Sequence, residues 1–262
     1  MNRIATRAGV KLGTLAALLS FASAVAAAND WTASAKLTYD HNEGRYGQPF
    51  SSRDSSTTLT IGLDTENYAF DVSLPYVVQT GPGRRIALAG QRAIVIIAPN
   101  VTSMGWGDTT LGLTRYLLNE ETHGFDLDMG ASYKIATAKE SKGLGSGKDD
   151  FSLQASVSKS LGPAMFSFTG GYTVVGKPEG AGYRNSGFAS ADVSVKPTKP
   201  VTLGVNFSYG GSSAAGSEST REVTYYASYR WSKKIRLEVH YLEGHSPQSP
   251  DRGWGATFST DF

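Results

Sequence analysis

The 262-residue chain contains no cysteine. Disulfides, a cysteine-type zinc site, a haem-attachment motif and a lipid-bearing cysteine are therefore excluded. Charge is sparse, at 18% of residues. Beyond residue 28 no apolar run approaches the roughly 18 residues of a spanning helix. One-sided charge is missing too. Arg3, Arg7 and Lys11 are the basic residues of the first 28, which hold no acid, so the remainder carries 22 basic against 23 acidic side chains. That balance leaves no electrostatic footprint for a nucleic-acid partner. Histidine is scarce, with His41, His123, His240 and His245 and no metal-ligand spacing. "KGLGSGKDD" (142–150) fails as a phosphate loop, because Lys142 and Asp149 stand where Gly and Ser or Thr are needed. The expectation is no cofactor, no metal and no catalytic residue set.

What is present begins with residues 1–28. Three basic residues precede "LGTLAALLSFASAVAAA" (12–28), which ends in small-x-small triplets. This reads as a cleaved secretory signal; a spanning anchor is the competing reading, and the crowd of small residues favours cleavage. Residues 29–262 then form one unit.

Strict apolar/polar alternation recurs throughout that unit. "WTASAKLTYD", "YAFDVSLPYV", "FDLDMGASYKI", "VTLGVNFSY" and "IRLEVHY" each place one face apolar and the other polar, the period of a half-buried strand. Reading on predicts twelve strands near 31–40, 55–64, 68–77, 108–118, 125–136, 150–160, 164–175, 186–197, 201–210, 221–231, 235–242 and 252–262. The phase of 108–118 is open, because Arg115 shares a face with Leu111 and Leu113. Connections alternate long and short, with the long ones rich in Gly, Ser, Pro and charge. Short turns at one end and long loops at the other are the layout of an outer-membrane barrel.

The physics of the bilayer demands closure. Hydrocarbon offers no water to backbone N–H and C=O groups, so every strand needs two neighbours. The expected fold is thus all-β, a closed antiparallel transmembrane β-barrel of about twelve strands in meander order. A soluble sandwich would also alternate, but has no reason to sort loop lengths by end. Aromatics lie near both ends of the apolar face, as interface belts do. Trp31, Trp231, Trp254 and Phe262 are among the expected membrane-interface residues. Pro75, inside a strand with no edge to hide it, predicts a bulge or an end to pairing.

The polar face would line a lumen. Expected inward side chains are Lys36, Asp64, Asp71, Asp126, Asp128, Lys134, Gln154, Asp192, Lys196, Asn206, Tyr226, Arg230, Arg236, Glu238 and His240. Such a lumen is either a water-lined path tuned by its charges or a core plugged by ion pairs, and the interleaved Ser, Thr and Gly favour the path. His240 reads as a polar lumen residue paired with Glu238 or a neighbour. A lipid-acting barrel enzyme would need His and Ser together on the outer wall, and Leu242 follows His240 at the position such a Ser would take. The thirty-residue connection 78–107 carries Ile94, Ile96 and Ile97 in an apolar run. It should bury itself in the mouth as a constriction, lie on the rim, or extend the wall as a hairpin.

Three stretches carry a family resemblance. "GWGDTTLGLTRYLL" (105–118), "GSGKDDFSLQASVSKSLGP" (145–163) and "GYTVVGKPEG" (171–180) resemble the outer-membrane transporter family named for the meta-pathway of phenol degradation, over about residues 31–262. The resemblance implies a barrel of the Gram-negative outer membrane, surrounded by its lipids, that passes small molecules, often aromatic or hydrophobic. It implies rim-structural roles for Gly107, Asp108, Gly147, Asp149, Asp150, Gly176, Lys177 and Pro178. It also implies that the terminal Phe262 is read by the barrel-assembly machinery. The resulting expectation is a passive channel. A closed barrel serving adhesion or structure through its loops is the alternative, and a lipid-acting enzyme a more distant one.

Overall fold

The computed structural model describes residues 31–47, 51–81, 102–178, 182–214 and 216–262, and the backbone alone of 84–89 and 92–97. The expected signal segment, 1–28, lies outside the described residues.

Twelve antiparallel strands close into a barrel in chain order. They are β1 (Thr32–Gly44), β2 (Ser52–Asp64), β3 (Tyr68–Thr80), β7 (Thr109–Leu118), β8 (Asp126–Ile135), β9 (Asp150–Leu161), β10 (Ala164–Val174), β11 (Ser186–Thr198), β12 (Val201–Gly210), β13 (Thr220–Arg230), β14 (Ile235–Gly244) and β15 (Arg252–Asp261). Between β3 and β7 lie a separate hairpin, β4 (Arg84–Ala89) with β5 (Arg92–Ile97), and a short extra strand, β6 (Ser103–Trp106). The long connection 78–107, for which a hairpin was one of the expected courses, thus contains one. The side chains of Ile94, Ile96 and Ile97 lie outside the described residues.

Closure is made by β1 and β15. Ten register pairs run from Ser34–Asp261 to Glu43–Arg252, and the Phe262 N–H extends the seam to the Ala33 carbonyl at 2.8 Å. No N–H row of either strand is left to hydrocarbon, where each orphan would cost several kcal/mol. Strands of 10–13 residues exceed or match the roughly 9–11 that a tilted membrane strand needs.

Local sequence explains the short-turn end. In 65–67 the Thr65 hydroxyl accepts the Tyr68 N–H at 2.9 Å. Gly162 opens the β9–β10 turn at φ 62, the positive φ that two-residue hairpins demand and glycine supplies. The β7–β8 turn is one helical turn, α1 (Glu120–His123), capped by the Asn119 side chain on the Thr122 N–H. Ser232 accepts the Lys234 and Ile235 N–H groups between β13 and β14.

Pro75 marks a partner change. Ser73 pairs with Thr110 of β7 and Tyr76 with Trp106 of β6, so three steps on β3 match four on the other side. The extra residue is a bulge, opposite a residue that has no N–H to give. The Pro75 carbonyl still accepts the Gly107 N–H at 2.8 Å.

Burial is inverted relative to a soluble domain. Leu153, Phe168, Leu203, Phe207, Leu237 and Val239 are exposed on the outer wall, while Lys134, Asp150, Thr173 and Ser194 are buried. Tyr39, Tyr133, Tyr172, Tyr209, Tyr241 and Trp254 are exposed near the long-loop end; Tyr68, Phe166, Tyr229, Trp231, Phe258 and Phe262 are exposed near the short-turn end. Trp31 is half-buried against Ala33, Ile61 and Leu63. Arg115 faces outward, its guanidinium 5.7 Å from the Tyr68 ring centre, at the short-turn rim where a cation reaches water. Depth should govern substitutions on this strand. Leu113→Arg, placed mid-wall, should cost about 2–4 kcal/mol and Arg115→Leu under about 1, read as urea midpoints of refolded protein in vesicles.

Candidate functional site

The inward faces of the twelve strands define the candidate site. Several inward glycines are each covered by a larger side chain from the adjacent strand. Phe188 lies over Gly171, Tyr226 over Gly204, His240 over Gly255 and Gln154 over Gly130. A Cβ at these glycines would strike that neighbour, so the lumen is fitted by pairing small with large residues. The long side chains then reach a second strand away. The Tyr226 hydroxyl donates to Asp192 at 3.0 Å, and His240 Nε2 stands 3.1 Å from Asp40. Of the partners offered by sequence, Glu238 or a neighbour, the one found is a neighbour across the seam, because closure brings β1 next to β15 and Gly255 leaves the path from His240 to Asp40 clear.

Inside the wall lies a cavity of about 630 Å³. Hydroxyl-bearing Thr38, Thr58, Thr60, Ser73, Thr110 and Ser152 line it, with Lys36, Asp71 and Gln154. Pro75, Val77, Leu144 and Phe188 give it an apolar collar. Leu144 is buried although it belongs to the 136–149 loop, so that loop folds inward rather than standing in water.

A buried ion cluster holds the loop there. The Lys134 ammonium lies 2.8 Å from Asp150 and 3.2 Å from Asp108, all three side chains 3% exposed or less, and it donates to Ser146 Oγ at 3.2 Å. The second oxygen of each carboxylate anchors backbone. Asp108 accepts the Ala138 N–H at 2.9 Å and Asp150 the Gly176 N–H at 2.9 Å. Two long loops are thereby tied to one lysine. Gly145 is what lets the loop approach, since a Cβ there would sit 2.7 Å from the Asp108 carboxylate. Asp149 points the other way. Hydrogen bonds from the Tyr133 hydroxyl at 2.6 Å and the Ala136 N–H at 2.8 Å hold its carboxyl below the usual carboxylate range. A carboxyl lowered on folding stabilises above its unfolded pKa and stops doing so as pH falls through its lowered folded value. Hydrogen-exchange protection of the Ala136 amide should therefore fall as pH drops below about 4, and Asp149→Asn should remove that pH dependence.

The remaining expected lumen residues spread along the tube. Asn206 pairs in register with Asp192. Asp126 accepts the Glu120 N–H at 2.7 Å and the Ser158 hydroxyl at 3.3 Å at the short-turn end. Asp128 follows on the same face, and Arg230, Arg236 and Glu238 lie at that end on β13 and β14. Sequence reasoning missed Leu144 and Phe188, and it placed Asp108 and Asp150 at the rim without joining them to Lys134. A lone Leu among three glycines, in a stretch otherwise polar, was the available sign.

It also missed a His–Ser contact on the outer wall. His41 Nδ1 lies 2.8 Å from Ser55 Oγ, a cross-strand pair beside Trp254. Among the described residues no carboxylate or amide bonds the other ring nitrogen to orient it, so the third member of a hydrolytic triad is missing. The contact reads as a strand-pairing hydrogen bond.

No protein-family model and no curated protein sequence matches the chain significantly. Solved structures do match. An outer-membrane channel from Pseudomonas putida F1 superposes with a TM-score of 0.69 at 15% identity, covering 88% of this chain and 95% of that one. The KdgM porin superposes with a TM-score of 0.53 at 10% identity, covering 87% of this chain and 99% of that one. At such identities the likeness is one of fold, and the fold is that of outer-membrane channels.

Proposed function

We propose that the chain is a passive channel of the Gram-negative outer membrane for small molecules, hydrophobic or aromatic ones among them. The observation that carries the reading is the hydroxyl-lined cavity of about 630 Å³ beneath an apolar collar, enclosed by a closed barrel with an apolar outer wall. Pro75, Val77, Leu144 and Phe188 offer a compact apolar solute a partly dehydrated seat, and the threonine and serine hydroxyls below replace water for its polar groups. The two channels of like fold support the reading, as does the resemblance to the meta-pathway transporter family. In this reading the short turns face the periplasm, lipid surrounds the aromatic belts, and Phe262 on the closing strand is the assembly machinery's handle. Flux follows the solute's own gradient.

Liposome swelling tests this. Vesicles bearing the refolded protein should swell in isosmotic solutions of small phenols and diols faster than empty vesicles. Leu144→Ser should lower the ratio of phenol flux to diol flux. Swelling no faster than that of empty vesicles would remove the proposal.

A further inference from the structure

Most of the lumen-side charges at the short-turn end are sorted by wall. Asp64 ends β2, Asp71 lies near the start of β3, and Asp126 and Asp128 open β8. The turns beside them add Glu66, Glu120 and Glu121. Arg230 ends β13 and Arg236 opens β14, and the adjoining turns add Lys199, Lys233 and Lys234. In the closed ring β8 is the fifth strand, β13 the tenth and β14 the eleventh. β14 stands six steps from β8 around the twelve-strand ring and β13 five, so Asp126 and Asp128 face Arg236 and Arg230 across the lumen, with Asp64 and Asp71 flanking the acidic side.

This arrangement is not the relaxed one. Arg230 and Arg236 are directly opposite each other in the β13–β14 register, where like charges destabilise a sheet. Neither has an ion-pair partner among the described residues. Asp126 and Asp128 likewise share one face of one strand. A barrel interior that only needed filling would interleave the signs around the ring. Lys36, within Coulombic reach of Asp71, tempers the acidic arc, and Glu238 and Asp261, the latter at the end of β15 beside β14, temper the basic one without reversing it.

We infer that the short-turn mouth is a transverse-field filter that favours dipolar solutes, zwitterions above all, over non-polar solutes of equal size. The inference rests on the channel reading above and adds a second selection among its solutes, at the mouth opposite the apolar collar. Low-dielectric walls focus the field of the two arcs across the path. A net-neutral solute with separated charges can turn its cationic group to Asp126 and Asp128 and its anionic group to Arg230 and Arg236. A simple ion is attracted by one wall and repelled by the other, so the intact mouth discriminates weakly between cations and anions.

Two measurements on the full barrel test it. In a potassium chloride gradient across a planar bilayer, Arg230→Gln/Arg236→Gln should shift the reversal potential towards cation selectivity, and Asp126→Asn/Asp128→Asn towards anion selectivity. In liposomes, γ-aminobutyrate should enter faster than pentane-1,5-diol, a neutral molecule of nearly the same size, and either double variant should cut that ratio severalfold. An unchanged ratio in both variants, or reversal shifts of the same sign, would overturn the filter while leaving the channel in place. Absence of conductance and of both fluxes in the unmodified protein would overturn the channel reading and this one with it.

Discussion

Lys134→Met should destabilise the barrel by about 3–5 kcal/mol, the cost of breaking a buried ion pair by removing one partner, and should raise its conductance. The ammonium is the only cation within ion-pairing distance of Asp108 and Asp150 among the described residues. Both carboxylates are buried at the outer rim. Without the lysine, two negative charges remain close together and cut off from water, and the loops they anchor through Ala138 and Gly176 lose their common tether. Leu144 then leaves the collar, and the mouth widens. Urea midpoints report the first effect and single-channel current the second. Adding Asp108→Asn and Asp150→Asn to Lys134→Met should restore much of the stability but not the closed mouth. An unchanged midpoint together with an unchanged current would show that the cluster neither supports the barrel nor sets the loop.

Gly255→Leu should be nearly as damaging, for a steric reason. Gly255 lies in the closing strand opposite Asp40 of β1 and His240 of β14. A Cβ there would press on the Tyr39 carbonyl, and at 2.5 Å on the His240 ring. Overpacking of this kind costs about 1–3 kcal/mol or more. Here it also displaces His240 from Asp40 and pushes apart the one pairing that makes the sheet a cylinder. Loss of the compact, fast-migrating form on unheated gels should follow. Gly170→Leu is the control, because the Phe168 ring at 3.7 Å is all that a Cβ there would meet. If both variants migrated like the unmodified barrel, the seam would not depend on that glycine.

Much of the wall was legible because one rule writes it. Period-two alternation, with turn residues between, located all twelve barrel strands to within a few residues. It worked because lipid outside and water inside impose opposite demands on successive side chains. The same rule failed where neither demand holds. The run around Ile94 and Ile96 does not alternate, so β5 could not be told from a buried loop, and β6 exists only because the bulge at Pro75 hands β3 a second partner. The candidate site was legible in its residue types but not in its pairings. Lys134 was expected inside, yet its partners are Asp108, just before β7, and Asp150, which opens β9, and the Ser146 it touches lies in a loop written off as polar. Asp40 and His240 are two hundred positions apart, and only closure makes them neighbours. The His41–Ser55 contact was missed in the same way, since it depends on cross-strand register rather than on spacing along the chain.

The measurement that bears most directly on the account is single-channel recording of the purified, refolded barrel in a planar lipid bilayer. An open path through the polar lumen predicts discrete current steps, enlarged in Lys134→Met. A protein that inserts and shows the fast-migrating folded form, yet passes no current in either version, would contradict it.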